Sequence, residues 1–80
     1  MVKITKKQLS DAEETIFKHV QDPYARHEVI TQLHRQVKLL KKFGNFPAND
    51  DGPAINLYIR GSLDIRLSRA VSEALGLGDL

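Results

Sequence analysis

The chain has 80 residues, no cysteine, no tryptophan, two tyrosines and three phenylalanines. That length allows one small domain. The absence of cysteine excludes a disulfide framework or a thiolate zinc site, and the short length leaves a core thin enough that a homodimer is the expected state. Twelve Lys/Arg against ten Asp/Glu give a formal net charge of +2, too small to indicate a partner by itself.

The distribution of charge says more than the total. Residues 1–44 hold nine Lys/Arg and five Asp/Glu, and the remainder holds three and five. No apolar run approaches the roughly 18 residues a membrane span needs, and no signal-peptide pattern opens the chain. The expected location is cytoplasmic, with no membrane partner.

Residues 1–4 read as a short strand or a lead. Thr5 and Gln8 fit a capping box, with Ile4 and Leu9 as its hydrophobic staple, and Ser10 with Glu13 offers a second box. Leu9, Ala12, Ile16, Phe17 and Val20 then share one face, which predicts helix 1 over residues 6–20. Asp11, Glu13 and Glu14 are expected near its positive end. Asp22-Pro23 signals a new start, an N-cap acceptor followed by proline at N1. Val29, Ile30, Leu33, Val37 and Leu40 form the inner stripe of a second helix over residues 23–43, with Gly44 as its stop. Leu39 and Phe43 widen that stripe, so helix 2 should touch more than helix 1. The short connection predicts an antiparallel αα-hairpin.

Residues 44–53 are turn chemistry throughout, anchored by Phe46. Residues 54–60 alternate, with Ile55, Leu57 and Ile59 on one side and Asn56, Tyr58 and Arg60 on the other, as a half-buried strand does. Gly61-Ser62 is expected to break it, with Ser62 as the N-cap of a third helix carrying Leu63, Leu67, Ala70, Val71, Ala74 and Leu75. Gly76 should close that helix, with Leu77 making the Schellman contact.

The expected fold is therefore an α-rich α+β single domain over residues 1–80: an αα-hairpin (6–43), a Gly/Pro loop (44–53) and a strand–helix unit (54–75). A lone strand exposes unpaired backbone groups on both edges. The expectation is that it pairs between subunits or with the N-terminal residues 2–4.

The stretch INLYIRGSLDIRLSRAVSEALG resembles the opening of a ribbon-helix-helix DNA-binding domain. The resemblance covers about 22 of the 80 residues. It implies an intertwined dimer whose two-stranded ribbon lies in the major groove, with Asn56, Tyr58 and Arg60 at the reading positions. Arg suits guanine and Asn suits adenine through paired hydrogen bonds. The family's second helix should follow helix 3, where this sequence has only Gly78-Asp79-Leu80, so helices 1 and 2 would have to supply the dimer core.

Helix 2 also carries a basic stripe: His27, His34, Arg35, Lys38, Lys41 and Lys42 fall within about a third of its circumference. One reading is contact with phosphates or with an acidic protein surface. The other is a solvated face, with Lys41 and Lys42 complementing the helix dipole. His27 and His34 are about 10 Å apart along the helix, too far for one metal ion. Asp50-Asp51-Gly52 lacks the remainder of a calcium loop. No serine sits in a nucleophile context and no glycine-rich phosphate loop is present, so an enzyme is not expected.

The expectation is a non-enzymatic binding protein without cofactor, metal or small-molecule substrate. Its first form is a small nucleic-acid-binding regulator using the basic helix face. The binding residues would be His34, Arg35, Lys38, Lys41 and Lys42, with Asn56, Tyr58 and Arg60. Its second form is a protein-binding adaptor or inhibitor, phage- or plasmid-like, that docks the basic helix and the edge strand on a larger partner. A third is a structural subunit that completes its strand by β-augmentation.

Overall fold

The computed structural model describes residues 4–43 and 55–77, with the side chain of Phe43 excepted. The readings of residues 2 and 3 as a pairing strand, of Gly44 as a stop, of Phe46 as an anchor, of Asp50-Asp51-Gly52 as a turn and of residues 78–80 as a tail lie outside the described residues. The described chain runs α1 (Lys6–His19), α2 (Pro23–Phe43), β1 (Tyr58–Ile59), β2 (Ser62–Leu63) and α3 (Ile65–Ala74). It is mostly helical, with one two-stranded antiparallel sheet.

Capping sets the start of α1. The Thr5 side chain accepts from the N–H of Gln8 at 3.1 Å, and Oε1 of Gln8 accepts from the N–H of Thr5 at 2.8 Å. This reciprocal box satisfies two of the donors that a helix start leaves open. Ile4 and Leu9 both pack on the core, as a staple requires. With Thr5 as the cap, the first turn carries Lys6 and Lys7 and no acid. Asp11, Glu13 and Glu14 therefore lie further along α1, beyond the reach of its positive end.

The corner between α1 and α2 is held by polar groups at helix ends. Oδ2 of Asp22 accepts from the N–H of Ala25 at 3.3 Å, and Pro23 stands at the first helical position. Arg26 donates from Nε to the carbonyl of Val20 at 3.0 Å and stacks over the Phe17 ring at 4.9 Å. A cation thus sits at the negative end of α1. Farther along, His34 of α2 meets Glu13 of α1 at 3.6 Å. The two contacts order the helices antiparallel.

The unit after α2 differs from the expected strand, break and helix. Ile59 and Ser62 pair across a two-residue turn, and Tyr58 faces Leu63. Arg60 and Gly61, the two turn residues, have φ of 52° and 82°. Positive φ at both central positions is the requirement of a type I′ hairpin turn, whose twist matches that of the strands. Ser62 is therefore a strand residue and not the cap of the third helix. Asp64 is the cap: its Oδ1 accepts from the N–H of Leu67 at 2.9 Å. Leu63 consequently lies outside α3 and is exposed. The end of α3 follows the expectation. Gly76 has φ 79°, its N–H donates to Glu73, and the N–H of Leu77 donates to Ser72, the two bonds of a Schellman motif.

The extended residues before β1 lie between α2 and α3, which meet through them. On one edge, Nε2 of Gln36 donates to the carbonyl of Asn56 (2.7 Å) and Oε1 accepts from its N–H (3.0 Å). Gln32 does the same for Tyr58, at 2.8 Å in both directions. On the other edge, the hydroxyl of Ser72 accepts from the N–H of Ile55 (3.0 Å) and that of Ser68 from the N–H of Leu57 (2.8 Å). The carbonyl of Leu57 accepts from the N–H of Asp64. Every backbone polar group of Asn56, Leu57 and Tyr58 is thereby bonded inside the chain. A second subunit's strand would have to displace these side chains to pair here, as would the ribbon of a ribbon-helix-helix dimer.

Beneath this segment lies the core. Ile55 and Leu57 point inward and are fully buried with Ile16, Val29, Leu33, Leu67 and Val71. Asn56 is half-buried and Tyr58 exposed. α1 lies along α3 more extensively than along α2, so the αα-hairpin is closed from the side by the third helix.

These bonds differ in burial, which orders their cost. Ser68→Ala strips the only acceptor from a buried N–H and should cost about 1–3 kcal/mol; Gln36→Ala should cost somewhat less, and Gln32→Ala, on an exposed pair, less than about 1 kcal/mol. Chemical denaturation of the three variants checks the order. Equal losses at Ser68 and Gln32 would contradict this account of the segment.

Candidate functional site

All the basic residues expected on α2 are exposed: His34, Arg35, Lys38, Lys41 and Lys42, together with His27. The seam with the extended segment divides them. Gln32 and Gln36 mark the strand side of α2, and Glu13 marks the α1 side through His34. At about 100° per residue, Arg35 and Lys42 fall on the strand-side flank and His34 and Lys41 on the α1-side flank, with Lys38 at the crest between them. The stripe is thus one convex band running over the top of α2.

Among the cations outside the band Lys18 and Arg26 are engaged, whereas Lys6, Lys7, Arg66 and Arg69 have no acidic partner among the described residues. Lys18 pairs with Glu14 at 3.8 Å, Arg26 is held by Val20 and Phe17, and His34 faces Glu13. Arg60 approaches Asp22 only at 4.0 Å, with its side chain 82% exposed. Arg35, Lys38 and Lys41 have no acidic partner among the described residues. α2 carries no acid after Glu28, so nothing on its own surface neutralises them.

The outward side chains of the extended segment stand next to this band. Tyr58 is 46% exposed although Leu57 beside it is fully buried. Asn56 is half-buried and spends its backbone on Gln36. Arg60 occupies the hairpin tip in the left-handed region, which disfavours a side chain by roughly 1–2 kcal/mol. Of the residues expected to bind, the structure sets Arg35 and Lys42 on the flank of α2 nearer the extended segment, which carries Asn56 and Tyr58. It sets Arg60 at the tip near Asp22, and His34 and Lys41 on the opposite flank.

Sequence reasoning missed the residues that position this face: Gln32, Gln36, Ser68, Ser72 and Arg26. Ser68 and Ser72 did leave a signal. Both fall in the apolar stripe of α3, where a buried hydroxyl demands a partner. Gln32 and Gln36 left none, because glutamine on a helix flank is ordinary surface composition.

Among the described residues no group of three or more His, Cys, Asp or Glu is placed to hold a metal ion, and no helix is long and apolar enough to cross a membrane. Comparison with protein-family models, curated proteins and solved structures returns no match.

Two stability measurements separate positioning residues from display residues. Lys38→Ala and Lys41→Ala should leave stability within about 0.5 kcal/mol, whereas Arg26→Ala should lose about 1–2 kcal/mol with its hydrogen bond and ring contact. Arg60→Asn should raise stability by about 1 kcal/mol, because asparagine tolerates positive φ and Asn-Gly is the preferred type I′ pair. A thermal or denaturant midpoint that falls for Arg60→Asn would mean that the Arg60 side chain contributes more than its backbone costs.

Proposed function

We propose that the chain is a small non-enzymatic regulator that binds nucleic acid through the exposed basic band of α2. The observation that carries this reading is the set Arg35, Lys38 and Lys41, exposed together on one helix face with no acidic partner among the described residues and no acid after Glu28 on α2. A row of such cations on a rigid helix exchanges counterions for phosphates when nucleic acid binds, and the release of those counterions drives association. Lys42 and His34 extend the band at its two flanks. Asn56, Tyr58 and Arg60 would add contacts from the strand side. The reading places the protein in the cytoplasm as a homodimer. Because the edges of the extended segment are filled, such a dimer would form through side-chain surfaces.

A second reading is a protein-binding adaptor or inhibitor that docks the same helix on an acidic partner. The observation that favours it is the exposed apolar group Tyr58, Leu63 and Ile65 on the hairpin and the start of α3, of the kind that marks interaction surfaces.

A fluorescence titration against DNA at about 50 mM and about 200 mM salt distinguishes the two. Binding should weaken steeply with salt. Combining Arg35→Glu, Lys38→Glu and Lys41→Glu should abolish it at the higher salt and reduce the salt slope by roughly 2–3 units. Absence of binding to DNA and RNA at low salt would end the nucleic-acid reading. Sedimentation at tens of micromolar tests the dimer separately.

A further inference from the structure

The side of α2 that faces the hairpin carries chemistry that a phosphate-binding band does not need. Gln32 and Gln36 bond to the backbones of Tyr58 and Asn56 and so fix the seam between helix and hairpin. Arg35 stands about 100° outward from Gln36 on the helix side of that seam. Tyr58 stands outward on the other side, nearly half exposed, while Ile55 and Leu57 turn fully inward. Leu63 is the direct cross-strand neighbour of Tyr58 and is 40% exposed. Neighbours so paired share one face of a sheet. The hairpin thus presents a planar ring beside an exposed apolar side chain. Arg35, which has no acidic partner among the described residues, lies on the α2 side of the seam, and Arg60, whose guanidinium comes within 4.0 Å of Asp22, stands at the tip with its side chain 82% exposed. Glu28, one turn before Gln32 on the same flank, bounds the cationic path on α2.

The backbone under this ring makes its own hydrogen bonds and offers none to a ligand. Recognition here must use the ring face and the guanidinium groups. A phosphopeptide would use the cations but not the ring, and a duplex keeps its base faces within its own stack. A single strand has both phosphates and free base faces, and base–aromatic stacking tolerates any sequence. Arg60 keeps a side chain at φ 52° where glycine or asparagine would sit without strain, and retained strain of this kind concentrates at functional positions.

We propose that the outer face of the hairpin binds single-stranded nucleic acid, with a base stacked on Tyr58 and the flanking phosphates on Arg35 and Arg60. This rests on the reading of the basic band as a nucleic-acid contact and narrows it to unpaired strands.

The test uses the full chain with a labelled oligothymidylate of roughly 12 nucleotides, within the range of such sites, and a duplex of equal length. Wild type should bind the single strand about tenfold or more tightly than the duplex. Tyr58→Ala should weaken single-strand binding by about tenfold or more and duplex binding by about threefold or less, and Tyr58→Phe should retain both. Because alanine preserves the backbone bonds to Gln32, circular dichroism should show an unchanged fold. Should alanine unfold the hairpin, Tyr58→Leu keeps the apolar cover without the ring and carries the same expectation. Equal affinity for single strand and duplex would overturn the proposal. So would wild-type single-strand binding by Tyr58→Ala when the triple Arg35→Glu, Lys38→Glu, Lys41→Glu variant has lost it; the basic-band reading would then survive alone. No binding of either probe by wild type would overturn both.

Discussion

One constraint organises this protein: an extended segment is buried between two helices without sheet neighbours along most of its length. Burying backbone N–H and C=O groups unpaired would cost roughly 1–3 kcal/mol each. The chain meets the demand with side chains. Gln32 and Gln36 on α2 and Ser68 and Ser72 on α3 stand at i, i+4 spacing, and each pair serves alternate residues of the segment. The match is geometric. Four helical residues rise about 6.0 Å, and two strand residues advance about 6.6–6.8 Å. A third pair would be out of step by more than an ångström and rotated further round the helix, so two contacts per helix is the natural limit. Beyond it the chain changes method, and β2 pairs with β1.

The choice of side chain follows from what each edge presents. On the α2 edge, Asn56 and Tyr58 each offer an N–H and a C=O, and a primary amide answers both, as a strand partner would. A glutamate there would lose the donor. On the α3 edge, Ser68 accepts from Leu57 and turns its own proton onto the carbonyl of Asp64 at 2.6 Å. The serine therefore satisfies its hydroxyl within its own helix while capping the segment. Serine is short, so α3 can approach closely and bury Leu67 and Val71 against Leu57. Glutamine is long and holds the segment at the flank of α2. The asymmetry leaves Asn56 and Tyr58 at the surface and Ile55 and Leu57 in the core.

Much of the helical frame was legible in the sequence, because caps and periodicity are local. Thr5-Gln8, Asp22-Pro23 and Gly76-Leu77 act where they were expected, and the stripe of α2 is buried as the 3.6-residue period requires. The unit around residue 60 was less legible. Ser62 and Asp64 are both good cap residues two positions apart, and only a tertiary partner decides between them. Here the partner is β1, which claims Ser62 for the hairpin and leaves Asp64 to start α3. The strand's unpaired edges are legible in the sequence as a demand, yet what meets it on one edge is two glutamines 20 and 26 residues away. No local pattern marks such a pair. The exposure of the basic band was readable from the helical wheel. Its division into two flanks needed the position of the segment.

The same constraint shapes what the surface can recognise. A strand with free edges invites a partner to add main-chain bonds, and affinity then comes from backbone pairing. In this chain the edges of residues 56–58 are spent on side chains and on the N–H of Asp64. A partner seeking them must first break four glutamine bonds on one edge, or the serine and Asp64 contacts on the other, and reseal the core behind. The outer edge of β2 is only two residues long, too short to template much pairing. A partner that approaches this face meets outward side chains, Tyr58 and Arg60 among them, and not free backbone groups. The backbone that carries Tyr58 is bonded on both sides, so little backbone entropy is left to lose at that residue. What looks from the sequence like an incomplete sheet is, in the folded chain, a segment bonded along both edges that turns Ile55 and Leu57 inward and Tyr58 outward.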